Sequence, residues 1–191
     1  MIHASRFVAS QHIDEDFWRD VRSHGVSATE VAKASTEAGW RDVLEIRNGT
    51  QVIEDNAYMQ FGRDQEPKIS MWVKDEFGIM PNDWVITHQS HPEFMATPDG
   101  LSLNHKAIAE IKTSGKDFES ARIPIQYRRQ MQWQLFVTGA DYCVFVWMLR
   151  IERDGIFVPG WFQPKYQIVE PDQDQIDKLK STAEKLLEVI A

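Results

Sequence analysis

Hydrophobic positions along the chain follow two periods, and the switches between them outline the fold. From residue 57 to 77, Phe61, Ile69, Trp72, Val73 and Phe77 partly keep helical spacing, and Gly78 then Pro81 close the segment, so a long helix is predicted there. Upstream, Ser27-Ala28-Thr29-Glu30 fits a capping box, a hydroxyl at the N-cap with Glu three residues on, and starts a helix expected to end near Gly39. Short β-like runs follow at 84–88 and 93–97, joined by a turn around Ser90-His91-Pro92, and a third at 107–112. Residues 124–137 read as a helix entered through Pro124, 142–150 as a strand buried on both faces, and 157–162 as a shorter strand. The tail, 172–190, places Ile176, Leu179, Ala183, Leu186 and Ile190 on one helical stripe. Helix, three strands, helix and strand make an α/β sandwich around a mixed sheet. No repeat or low-complexity tract divides the chain, so a single domain is expected, with its core at about 18–165 and a C-terminal helix at 172–190.

Composition narrows the class without changing this outline. A chain of 191 residues with 42% hydrophobic positions is long enough for one sizeable core. Its 21 basic residues against 29 acidic ones leave a net charge of −8, which argues against a nonspecific coat on DNA, because neutralising phosphates needs surplus Lys and Arg. A local basic groove is still open to it, since binding reads a patch and not a sum. The single cysteine, Cys143, excludes an internal disulfide and a cysteine-cluster zinc site. The longest strongly apolar run, 143–149, falls well short of the roughly 18 residues a membrane span needs, and the first residues lack a signal-peptide core. A soluble, cytoplasmic protein is expected.

The informative chemistry lies in Thr97-Pro98-Asp99-Gly100 and, ten residues later, Glu110-Ile111-Lys112. Asp99 is expected at the turn that ends the 93–97 strand, and Glu110 and Lys112 share one face of the 107–112 strand. Paired as neighbours, those strands bring two carboxylates and an ammonium to one sheet edge. Carboxylates that close repel unless a cation sits between them, and hard oxygen donors select Mg²⁺ or Mn²⁺ over zinc. The carbonyl of Ile111 could complete the shell. Lys112, its pKa depressed by the cation, could orient or deprotonate a bound water for attack on a phosphodiester. The plain alternative is an exposed Pro-Asp-Gly turn before a strand whose Glu and Lys face water. Context favours the functional reading: Glu110 interrupts an apolar strand, and Lys106, Lys112, Lys116, Arg122, Arg128 and Arg129 outnumber Glu110, Asp117 and Glu119 between residues 103 and 133.

With three further blocks, Arg22 followed by 25–31 (GVSATEV), 61–66 (FGRDQE) and 127–132 (YRRQMQ), these residues resemble the PD-(D/E)XK nuclease superfamily. More narrowly they resemble the phage lambda exonuclease and YqaJ-type viral recombinase family, over about residues 18–148. The resemblance implies a PD-(D/E)XK nuclease core, a central mixed β-sheet flanked by helices. It implies a Mg²⁺-dependent 5′→3′ exonuclease that digests linear double-stranded DNA from 5′-phosphorylated ends and leaves 3′ single strands. Asp99 and Glu110 match the family's metal ligands for two Mg²⁺ ions, with Mn²⁺ able to substitute, and Lys112 matches its catalytic lysine. Glu66 matches an acidic helix residue that holds the nucleophilic water. Tyr127 and Gln130, three apart on one helix face, match residues beside the active site. Arg22, Ser27 and Thr29 match the pocket for the 5′-phosphate, although a Ser27 that caps its own helix commits its hydroxyl. Met59 matches a wedge that splits the terminal base pair, and Lys116 belongs to the basic cluster that meets DNA. The family also implies a homotrimeric ring, a single-strand annealing protein as partner, and a phage or prophage origin in a bacterial cytoplasm.

His88 and His91 read as a turn-exposed pair, and Trp133 and Trp147 as core rather than stacking surfaces. Two rivals stay open: a structure- or site-specific endonuclease on the same core, and a catalytically silent DNA-end-binding module.

Overall fold

The computed structural model describes residues 2–52, 54–119 and 122–190 as a single α/β domain. In chain order its elements are β1 (Phe7–Ser10), α1 (Glu15–Ser23), α2 (Ala28–Ala34), α3 (Glu37–Arg47), α4 (Ala57–Phe77), β2 (Ile79–Pro81), β3 (Trp84–Thr87), β4 (Met95–Ala96), β5 (Gly100–Ser102), β6 (Ala107–Ser114), α5 (Ile125–Thr138), β7 (Tyr142–Arg153), β8 (Ile156–Pro159), β9 (Lys165–Val169) and α6 (Gln173–Ile190). The long helix α4 starts where the Asn56 side chain accepts from the amides of Tyr58 and Met59, and it stops at Gly78, whose left-handed φ of 67° closes the last turn. No described helix is long and apolar enough to cross a membrane.

The helix expected to run from Ser27 to Gly39 is two helices. The Ser27–Glu30 capping box does open α2, but Thr36 takes over as a new N-cap, its hydroxyl accepting from the Gly39 amide at 3.1 Å, and α3 begins. Gly39 therefore lies inside a first turn and not after a last one. It is there for clearance: a Cβ at this position would sit 2.1 Å from the Lys33 carbonyl oxygen.

Two sheets form. β1, β3 and β4 make a small antiparallel sheet, and the larger sheet runs β2-β5-β6-β7-β8, with β9 also pairing β7. The expected pairing of 93–97 with 107–112 does not occur, because β4 belongs to the small sheet. The antiparallel neighbour of β6 is β5, with Gly100 opposite Ala109 and Leu101 opposite Ile108. On its other edge β6 pairs in parallel with β7, from Ala107 opposite Tyr142 to Ser114 opposite Leu149. The parallel pair requires a crossover, which α5 provides.

Alternation along β6 and β7 divides the core. Ile108, Cys143, Phe145 and Trp147 pack with Met131 and Leu135 of α5, whereas Ala109, Ile111, Val144 and Val146 pack with Ile69 and Val73 of α4. A third cluster joins α2, α5 and α6 through Val31, Trp133, Leu179, Ala183 and Leu186, so the acidic tail lays its stripe on its own domain. Trp133 and Trp147 are fully buried, as expected, and His88 and His91 stack on each other at 5.5 Å.

Gly100 heads β5 instead of forming an exposed turn. A Cβ there would lie 2.8 Å from Ile79 Cγ2 and 3.1 Å from Ala109 Cβ. Gly100→Ala should therefore cost about 1–3 kcal/mol by overpacking, read as a lower urea midpoint; an unchanged midpoint would show that the sheet yields freely at this contact.

Candidate active site

The site grows from the β5–β6 register. Gly100 faces Ala109 across the antiparallel pair, so Asp99, one residue before β5, comes opposite Glu110. Asp99 Oδ2 accepts the Ile111 amide at 2.6 Å. In a strand the amide and carbonyl of one residue point to the same side, so the Ile111 carbonyl faces the Asp99 side as well. Asn82 fixes the approach of this segment: its side chain donates to the Pro98 carbonyl at 2.8 Å, and its amide to the Asp99 carbonyl at 3.0 Å. Burial, then the charge of Glu110, pushes the Asp99 carboxyl well above its ordinary value.

Glu110 points to the α5 side of the sheet, and only 1% of its side chain is exposed. A bare carboxylate there would be costly, and donors on two elements compensate it. Gln130 Nε2 donates to Oε1 at 2.6 Å, Gln134 Nε2 donates to Oε2 at 2.7 Å, and the Lys112 ammonium pairs with Oε1. Desolvation pulls the Lys112 pKa down, but the charges of Glu110 and Asp99 outweigh that and raise it; the depression expected beside a cation concerns the metal-loaded site. The Tyr127 ring lies 5.4 Å from its nitrogen. Tyr127 and Gln130 thus reach the same cluster from one face of α5, as their spacing predicts.

Glu66 extends from α4 into a pocket of about 360 Å³ that it shares with Asp99, Asn82, Asp83 and His12. The packed wall, then Glu110, pushes its carboxyl up, with Lys112 opposing. Met59 is not core filling: it is 40% exposed on the first turn of α4. Lys116 is exposed beyond the end of β6.

Arg22 lines a separate cavity of about 550 Å³ with Trp18, Arg19, Glu30, Arg47 and the C-terminal residues Val189 and Ile190. Its guanidinium stacks 4.4 Å from the Trp18 ring, and desolvation lowers its pKa, with Glu30 opposing. Ser27 is committed, since its hydroxyl donates to Glu30 at 2.6 Å. Thr29 is exposed and does not line this cavity. Two residues here carried no recognisable signal in the sequence. Arg47, bound to Glu30 at 2.7 Å, adds a third guanidinium to the Arg22 cavity, beside Arg19. Gln134 completes the shell around Glu110, and its only trace was the spacing of four from Gln130.

Among the described residues no three His, Cys, Asp or Glu side chains gather closely enough to form a metal cluster. The donors on hand are the carboxylates of Asp99 and Glu110 and the Ile111 carbonyl. Such an all-oxygen set, with a buried carboxylate pair in which burial and then the charge of Glu110 raise Asp99, fits a hard divalent ion that keeps several of its waters.

Residues 17–141 match the family model of the YqaJ-like viral recombinase domain. No curated protein sequence matches the chain. Among solved structures, the alkaline exonuclease LHK-Exo from Laribacter hongkongensis is similar over 92% of each chain, with a TM-score of 0.73 and 26% identity. LHK-Exo in complex with dAMP gives a TM-score of 0.73 at 24% identity, again over 92% of each chain. A phage-related exonuclease from Haemophilus somnus 129PT shares the fold, with a TM-score of 0.67 at 18% identity over 87% of this chain and 94% of that one.

The buried pair can be tested without a substrate. Lys112→Met leaves Glu110 without its cation and should cost about 3–5 kcal/mol in urea unfolding; a loss below about 1 kcal/mol would mean that Gln130 and Gln134 suffice.

Proposed function

The chain belongs to the YqaJ-like viral recombinase family, and on that premise we propose that it is a divalent-metal-dependent 5′→3′ exonuclease acting on linear double-stranded DNA. The reading has it start from 5′-phosphorylated ends, release mononucleotides, and leave 3′ single strands for phage-type recombination by strand annealing. The observation that carries it is the convergence of Asp99, Glu110, Lys112 and Gln130 where β5 enters beside β6.

In this reading Asp99, Glu110 and the Ile111 carbonyl hold Mg²⁺, two ions at full occupancy, or Mn²⁺ in its place. When bound, the metal would supply Lewis-acid stabilisation and ease deprotonation of a water, giving the nucleophile that attacks phosphorus. Lys112, paired with Glu110, would orient or deprotonate that water and balance charge on the phosphoryl oxygens. Glu66, its proton affinity raised across the same pocket, holds or accepts from that water. Tyr127 positions Lys112, and Gln130 fixes Glu110.

Arg22 is the principal donor for the 5′-phosphate, with Arg47 beside it. Ser27 contributes only if its proton leaves Glu30, and Thr29 reaches the phosphate from outside the cavity. In this reading Met59, exposed at the start of α4, would part the terminal base pair, and the exposed Lys116 would meet the backbone. A homotrimeric ring around the duplex would reconcile a net charge of −8 with DNA binding, by turning the basic cluster inward. A single-strand annealing protein is the partner this product calls for, in the bacterial cytoplasm where a phage or prophage protein would act.

The test uses linear duplex DNA with a 5′-phosphate or 5′-hydroxyl, beside a covalently closed circle, in Mg²⁺ or EDTA. Mononucleotide release from the phosphorylated linear DNA in Mg²⁺ alone is expected, with Asp99→Ala and Glu110→Ala reduced to background. Cleavage of the circle would assign an endonuclease instead. Binding of DNA without any cleavage would leave a silent end-binding module.

A further inference from the structure

Gln134 is the feature that packing does not explain. It sits in the middle of α5 with 1% of its surface exposed, and its Oε1 has no hydrogen-bond partner among the described residues. An apolar side chain of the same length would fill that space without leaving a polar atom unpaired. What Gln134 does make is one bond, Nε2 to Glu110 Oε2 at 2.7 Å. The amide orientation follows from chemistry: an ionised carboxylate only accepts, so the NH₂ must face it and the carbonyl must turn away.

The oxygens of Glu110 are therefore not equivalent. Oε1 accepts from Gln130 and carries the ion pair with Lys112; among the described residues Oε2 has Gln134 as its one partner, so it is the less engaged oxygen. We infer that Gln134 is a positioning residue that locks the Glu110 carboxylate so that Oε2 is the oxygen offered to a divalent cation. This rests on the metal-dependent reading above. It adds to that reading a residue, an atom and a reason for the buried amide. Partners of this kind, one bond removed from a metal, commonly change affinity by about 10–100-fold.

Gln132 provides an internal control, because it is a second buried glutamine on α5 with bonds that avoid the site: its amide donates to the Glu170 carbonyl at 2.8 Å, and its oxygen accepts from the Asp172 amide at 2.7 Å. Mn²⁺ binding by calorimetry, without DNA, should weaken about ten-fold in Gln134→Met, with thermal stability lowered because Glu110 loses a donor. In Gln132→Met stability should fall while Mn²⁺ affinity stays at the wild-type value. Should Gln134→Met not fold, the wild-type chain labelled with ¹⁵N-glutamine decides: the Gln134 side-chain NH₂ signals should move on addition of Mg²⁺ and those of Gln132 should not. Wild-type affinity in folded Gln134→Met, or Gln134 signals that ignore Mg²⁺ while Mn²⁺ binds, overturns the inference alone. A wild-type chain that binds no Mn²⁺ overturns the metal-dependent reading and this inference with it.

Discussion

The architecture around the site depends on keeping one carboxylate charged inside the protein. Glu110 occupies a strand whose neighbours Ile108, Ala109 and Ile111 are all buried, and its own side chain is sealed from water. Transfer of an ionised group into such surroundings costs several kcal/mol unless donors replace the lost hydration. Here the donors come from two directions, the ammonium of Lys112 two residues along the same strand and the amides of Gln130 and Gln134 one helical turn apart on α5. The β6–α5–β7 crossover is thus more than a way to build a parallel pair. It lays a helix face carrying two glutamines against the buried carboxylate of the strand.

The second carboxylate arrives by a different physical route. Asp99 is held by backbone geometry: Gly100 lets β5 pass close to Ile79 and Ala109, Asn82 donates to the Pro98 and Asp99 carbonyls, and the Ile111 amide donates to the Asp99 carboxylate. One carboxylate has donors on both oxygens, while the other is hemmed in, its pKa raised by burial and then by the charge of its neighbour. A pair so unequal is poised to take up a cation that satisfies both. Separating this pocket from the Arg22 cavity gives the molecule two distinct binding environments, one dominated by oxygen acceptors and one by guanidinium donors.

Much of this was legible in the residues. α4, α5, β6, β7 and α6 carry long periodic patterns or clear caps, and they lie close to where those patterns place them. The short elements were not: β2 and β5 have three residues each, too few for a period, and β9 pairs a half-exposed stretch. The expected neighbour of β6 was wrong for that reason, because the real partner begins one residue after Asp99, where Pro-Asp-Gly reads as a turn. The Asp99–Glu110–Lys112 grouping survived the error, since either pairing brings residue 99 beside β6. Gln134 sits in a Trp-Gln-Leu stretch that resembles any helix interior, and only the three-dimensional position of Glu110 gives it meaning. Arg47 was hidden likewise, because its partner Glu30 lies 17 residues away across a helix boundary expected near Gly39 and found at Thr36.

The central claim is that Asp99 and Glu110 form one divalent-cation site at the β5–β6 junction. Anomalous diffraction from crystals of the protein grown with Mn²⁺ tests it most directly. The account predicts a manganese peak between the Asp99 and Glu110 carboxylates, within bonding distance of the Ile111 carbonyl, and no such peak in Glu110→Gln. Manganese bound elsewhere with this junction empty would contradict it.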